Sequence, residues 1–213
     1  MCFFMCGKTF ILTDKIEFFP DKDLERELNF NFRATGYVFN KTLEASIYRE
    51  NLVKFGIGTQ WKVNRTYTQK IVKNLKKQKP FLKKAESTCI QASTDRLIKA
   101  YSGYYDHITG RPHFKSLKKN PVKSITLRNN EYSTKEGMKS SLRWEENLFR
   151  INKIGYIEVK YKRDIDGKIK EATILKENGK WFVCIAYELE KIHPRDEFSY
   201  HGLNRENNPI NNK

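Results

Sequence analysis

Paired cysteines, an acidic surplus and a long apolar run are all missing from this chain of 213 residues. Cys2, Cys6, Cys89 and Cys184 are its only cysteines and share no C-x-x-C spacing, which argues against both a disulfide framework and a zinc ribbon. The apolar start, Met1 to Cys6, is interrupted by Gly7-Lys8 and is far too short for a signal peptide or a membrane span. A cytoplasmic protein is therefore expected. No strongly amphipathic basic helix dominates, so a membrane surface is a poor partner. His107, His113, His193 and His201 have no nucleophile in a recognisable context, and no set of carboxylates converges as two-metal phosphodiester cleavage would need. Neither a catalytic group nor a metal, cofactor or small-molecule substrate is expected on this chain.

What is present is positive charge. Forty-one Lys and Arg against 25 Asp and Glu leave a formal charge of +16 and a pI near 9.6, which calls for a polyanionic partner. The membrane having been set aside, nucleic acid is the expected one. Trp61, Trp144 and Trp181, within an aromatic content of 13%, supply enough apolar bulk for a folded core.

The chain reads as helical first and β second. Residues 8–19 alternate weakly through Phe10, Ile11, Ile16, Phe18 and Phe19 and suit a strand ending at Pro20. Asp21 can cap a helix that carries Leu24, Leu28, Phe32, Val38, Phe39, Leu43 and Ile47 to about Arg49, with Gly36 a point of weakness and Gly56 and Gly58 ending the unit. Further helices are predicted over about 67–78 and 87–105, the latter with an apolar stripe of Ile90, Leu97, Ile98, Ala100, Tyr101 and Tyr104, so the helices should pack as a small bundle. After Pro121 the period falls to two. Ile157, Val159 and Tyr161 lead to a hairpin turn at Asp166-Gly167, and Ala172 and Ile174 lead through Asn178-Gly179 to Trp181, Val183, Ile185 and Tyr187. With 124–127 and 148–151 as further strands, this half predicts a small antiparallel barrel or curled sheet. The early strand could complete it, making the helices an insertion. Residues 190–213 balance four acids with four bases and crowd Asn204, Asn207, Asn208, Asn211 and Asn212, so a disordered tail or linker is expected there.

Two runs concentrate the cations. From His107 to Arg128 there are six Lys or Arg and no acid, opening with a stiff Gly110-Arg111-Pro112 turn that cannot continue a helix. Arg111, Lys115, Lys118, Lys119, Lys123 and Arg128 are the candidates for gripping a phosphate backbone, since such a segment releases counterions on binding. A loop kept basic for solubility is the plainer alternative. Residues 70–84 hold seven lysines and no acid. Lys73, Lys76, Lys77, Lys83 and Lys84 form either a second phosphate surface or simply a solvated helix face. Asp95, beside Arg96 and Lys99, suits an ion pair within or between helices, and Glu158 a solvated strand face.

Order and local sequence together resemble the OrfB/TnpB proteins of bacterial and archaeal insertion sequences. Phe19-Pro20 to Leu24 with Arg33 to Lys41 resembles that family's opening helix. Ile90-Gln91, Asp95-Arg96-Leu97 and Ala100-Tyr101 resemble a later helix, Gly110 to Ser116 resembles its G-x-P-R-F-K-S turn with His113 in place of the usual Arg, and Ile154 to Ile157 with Gly179 to Val183 resembles its later strands. The resemblance implies a transposase-associated, RNA-guided DNA endonuclease of mobile elements, similar to the ancestors of compact type V CRISPR nucleases. It implies an α+β fold, with a wedge-like (OB-like) β-barrel formed by residues 8–20 and 107–189 and an inserted helical recognition bundle over 21–106. The implied partners are guide RNA and a short DNA motif beside the target, with base pairing reading the rest. Tyr67, Gln91 and Asn129 fall at positions similar to the family's motif-reading surface. The family's nuclease domain, opening on a D-x-G strand, would lie past residue 213, and Asp196 among polar residues does not resemble that aspartate. The chain alone is thus expected to bind without cutting. A nuclease-free regulator acting by occupancy is the alternative.

Overall fold

The structure is a computed structural model and describes residues 10–58, 62–116, 123–134, 137–159, 161 and 163–189. Cys2, Cys6, Trp61, Lys118, Lys119, His193, Asp196, His201 and the expected tail over 190–213 lie outside the described residues.

Strand β1 (Phe10–Phe18) leads to helix α1 (Lys22–Lys54), whose start follows from chemistry: the Asp21 carboxylate accepts from the Leu24 N–H at 2.7 Å. Asp23 and Glu25 in the first turn complement the helix dipole. The helix does not break at Gly36, and it runs five residues beyond the expected end. Leu28, Phe32, Thr35, Val38, Phe39, Thr42, Leu43 and Ser46 keep one face buried throughout, which outweighs the roughly 1 kcal/mol that a mid-helix glycine costs. It stops where Gly56 turns left-handed at φ 74°. Helix α2 (Arg65–Gln78) is capped by Asn64, a short 3₁₀ helix covers Pro80–Lys83, and α3 (Ser87–Tyr105) begins at a Glu86 cap. Residues 67–78 and 87–105 are thus helical as expected.

Eight further strands follow: β2 (Lys123–Arg128), β3 (Glu131–Thr134), β4 (Gly137–Ser140), β5 (Leu142–Glu145), β6 (Leu148–Ile151), β7 (Gly155–Glu158), β8 (Lys168–Glu177) and β9 (Lys180–Leu189). The main sheet has the order β1-β9-β8-β2, antiparallel throughout. The first strand therefore joins the last, and the helices lie in the chain between two edge strands of one sheet. The Asn178-Gly179 turn joins β8 to β9 with φ values of 48° and 80°, both positive as a type I′ turn requires. β5, β6 and β7 form a second sheet, and β3 pairs with β4.

Two expectations are corrected. Asp166-Gly167 makes no hairpin, because β7 pairs with β6 while β8 pairs with β9 and β2. Gly167 instead allows close approach: a Cβ there would meet the Leu189 side chain at 2.7 Å and the Glu188 carbonyl at 3.1 Å. Nor do the sheets close into a barrel. β7 is four residues long, and among the described residues only a single isolated bridge, Phe18 to Val159, links β1 to the end of the second sheet.

One core links helices and sheets. Ile16, Phe18, Ile125, Ile174, Trp181, Val183 and Ile185 of the main sheet meet Phe149, Ile151 and Ile157 of the second, together with Leu28 and Phe32 of α1 and Cys89 of α3. Phe32 stacks on Trp181 with centroids 5.8 Å apart and planes 18° off parallel. Further along α1, Ala34 and Val38 pack with Leu82 and Ile90, and Phe39 and Leu43 pack with Val63, Leu97 and Tyr101.

Candidate nucleic-acid interface

Where α1, α3 and β2 meet, they leave a groove of about 120 Å³. Its floor holds the buried Phe32, Thr35, Gly36 and Cys89; its walls carry Ser93 and Arg96 of α3, Lys115 and Ser116 of the basic turn, and Lys123 to Thr126 of β2. Chain geometry explains the meeting. Cys89, Ser93 and Arg96, four and three residues apart on α3, share one helical face. The turn is held against α1 by Asn40, which donates to the Lys115 carbonyl at 2.9 Å and accepts from the Lys115 N–H at 2.8 Å.

The groove is cationic. Lys115 places its ammonium 4.0 Å from the centre of the Phe39 ring, and its pKa is lowered, chiefly by loss of water and further by the like charge of Arg96. Arg96 donates to the Thr126 hydroxyl, which also pairs with Thr173. No carboxylate lines the groove among the described residues. Two further described cations of the basic run, Arg111 and Arg128, are held by acids. Arg111 reaches Glu50 on α1 at 2.7 Å. Burial works against its charge, but the hydrogen bond and attraction of Glu50 prevail and its pKa is raised. Arg128 reaches Asp95 at 2.6 Å, and Arg65 of α2 shares that carboxylate at 3.2 Å. Asp95 thus ties α3 to α2 and β2. Lys123 is half-buried on the groove wall, and His113 and Phe114 are exposed.

The second lysine set is divided between α2 and the 3₁₀ segment. Lys73, Lys77, Lys83 and Lys84 are exposed, whereas Lys76 is half-buried, with a pKa lowered first by desolvation and then by Lys153.

Of the residues expected to read a DNA motif, the structure does not bring all three together. Gln91 is exposed and shares a shallow cleft of about 70 Å³ with Arg65, Gln69, Thr94, Asp95 and Arg128. Asn129 follows Arg128, but its amide serves the fold: it donates to the Ile169 carbonyl at 2.9 Å and accepts from the Leu142 N–H at 3.0 Å. Tyr67 packs with Phe39, Leu43 and Leu97, and burial is the main cause of its raised pKa. Tyr101, Tyr104 and Tyr105 contact one another with centroids 5.6 to 6.3 Å apart, so Tyr105 sits among rings of its own chain. Sequence reasoning missed Arg96, Ser93, Arg65 and Gln69. The spacing of Cys89, Ser93 and Arg96 was the available signal, obscured by the stronger apolar stripe on the same helix.

The described residues contain no group of three or more His, Cys, Asp or Glu that could hold a metal ion, and no helix long and apolar enough to cross a membrane. What the geometry defines is an antiparallel α+β protein with an acid-free cationic groove at its helix–sheet junction. This chain is similar to the Escherichia coli (strain K12) protein named "Putative RNA-guided DNA endonuclease InsQ", with 25% identity over 190 residues. The match bears out the resemblance to the OrfB/TnpB proteins of insertion sequences read from local motifs. It covers 84% of this chain but only 42% of InsQ, the N-terminal part. No protein-family model matches the chain.

Proposed function

We propose that this chain is the nucleic-acid-binding, N-terminal portion of a TnpB/OrfB-type RNA-guided DNA endonuclease of an insertion sequence. In this reading it holds a guide-like RNA and contacts a short DNA motif beside the target, while cleavage belongs to the part of such a protein that the match does not reach. The β regions 8–20 and 107–189 would form the wedge-like unit and 21–106 the recognition insertion. The observation that carries the reading is the acid-free groove of Arg96, Lys115 and Lys123, set in a chain of charge +16 whose relative is named for RNA-guided DNA cleavage. Gln91, beside Gln69 in the cleft next to Arg128, is the better placed group for base contact, since an amide can pair with adenine bidentately. Lys73, Lys77, Lys83 and Lys84 supply a second cationic surface. Fluorescence anisotropy against labelled duplex DNA, with and without a structured RNA prebound, tests the proposal. Sequence-selective DNA binding that requires the RNA is expected. Selective DNA binding without RNA would favour a regulator acting by occupancy, and binding to neither at low salt would end both readings.

A further inference from the structure

We propose that the groove between α1, α3 and β2 is a seat for one phosphate group of a nucleic-acid strand, gripped by Arg96 and Lys115 and completed by the Ser124 and Thr126 hydroxyls and by Lys123. This deepens, and rests on, the nucleic-acid reading of the chain.

Charge pairing singles out the place. Nearby cations have carboxylates: Glu50 for Arg111, and Asp95 for both Arg65 and Arg128. Arg96, Lys115 and Lys123 have none among the described residues, although Arg96 and Lys115 line one groove close enough to repel, with both side chains exposed to an incoming ligand. Two like charges held together beside an apolar floor of Phe32 and Cys89 cost free energy that an anion between them would offset. The donor set matches a phosphate. Arg96 spends one of its donors on Thr126 and keeps the rest of its planar fork, Lys115 adds a point charge, and the Ser124 hydroxyl makes no hydrogen bond within the described residues. A cavity of about 120 Å³ suits a phosphate rather than a stacked base pair or a helix. The turn is also fixed before any ligand arrives, since the Asn40 bonds to both the N–H and the carbonyl of Lys115 set its backbone.

Two measurements on the full chain test this. First, inorganic phosphate is titrated into isotopically labelled protein, with acetate as a parallel arm, following the amide signals of Ser124 and Thr126 and the guanidinium of Arg96. A saturable shift with phosphate and not with acetate is expected. Second, strand affinity is measured across salt for Arg96→Gln and Lys115→Gln, with Lys99→Gln on the same helix as control and Tm checked for each. Each groove variant should bind about tenfold more weakly, the worth of a charge-assisted hydrogen bond. Its slope of log affinity against log salt should fall by about 0.7 to 0.9, one phosphate contact. An oligonucleotide with and without a terminal phosphate separates the sources: a preference for the phosphorylated strand assigns the seat to a chain end, equal binding to an internal phosphate. The proposal is overturned if both groove variants keep wild-type affinity and slope, or if acetate shifts the same signals as far as phosphate does. Should the wild type bind no strand at all, the nucleic-acid reading fails, and a phosphate-specific shift would then identify a seat for a free phosphate monoester instead. If Arg96→Gln does not fold, Lys115→Gln and the phosphate titration decide.

Discussion

The Glu50 carboxylate, 14% exposed, collects Arg111 at 2.7 Å and Lys54 at 3.3 Å, and beside it the Tyr101 hydroxyl lies buried next to the Arg111 guanidinium without a hydrogen bond of good geometry. Burial first, and then the charge of Glu50 and the neighbouring Tyr105, push the Tyr101 pKa up to about 12, with Arg111 pulling the other way. The sign follows directly. The folded chain holds this proton more tightly than the unfolded one, whose tyrosines titrate near 10, so the contribution is intact below about pH 10 and is lost as pH rises towards about 12. A two-unit shift is worth roughly 2–3 kcal/mol. Chemical denaturation across that window should show this loss, and Tyr101→Phe should remove most of it. At neutral pH the same substitution should raise stability by about 1 kcal/mol, because it deletes a buried, poorly bonded hydroxyl without opening a cavity.

Turn chemistry acts at the scale of the element, and there the sequence was most readable. Asn178-Gly179 between alternating runs specified the β8–β9 hairpin and its register, Glu177 opposite Lys180, because few other residue pairs accept two positive φ angles in succession. Gly179→Ala, at φ 80°, should cost about 1 kcal/mol, read as a lower urea midpoint with an unchanged slope. The caps of α1 and the period of α3 were equally legible, since both are local. What could not be read was pairing between distant segments. Nothing in Gly155–Glu158 says that it joins β6 rather than β8, and β3, β4 and β5, four residues each, are too short for alternation to stand out. The candidate groove was half legible for the same reason. Its basic turn is one continuous stretch, whereas Arg96 reaches it only because α3 lies against β2.

At the scale of the whole molecule, stability and binding draw on different cations. The helices and the sheets share one core through Phe32 and Trp181, so Phe32→Ala should cost about 3–5 kcal/mol and still give a single unfolding transition by far-ultraviolet and tryptophan signals together. A helical unit with a separate core would instead split those two signals. Charge divides differently. A surplus of sixteen positive charges suggests that every lysine and arginine helps to bind, but those already held by acids exchange one anion for another and release few counterions. Arg111→Gln should therefore act on the fold. It leaves Glu50 with only the longer Lys54 pair, costs about 1 kcal/mol in a pair that is only partly buried, and leaves the salt slope of binding almost unchanged. The exposed Lys73 and Lys77 on α2 predict the reverse, with Tm unmoved when both are replaced by Gln. If their face lies along a strand, the slope should fall by about 0.7 to 0.9 for each phosphate lost. If that double variant keeps the wild-type slope, α2 is merely a solvated face and the binding surface narrows to the groove at the helix–sheet junction.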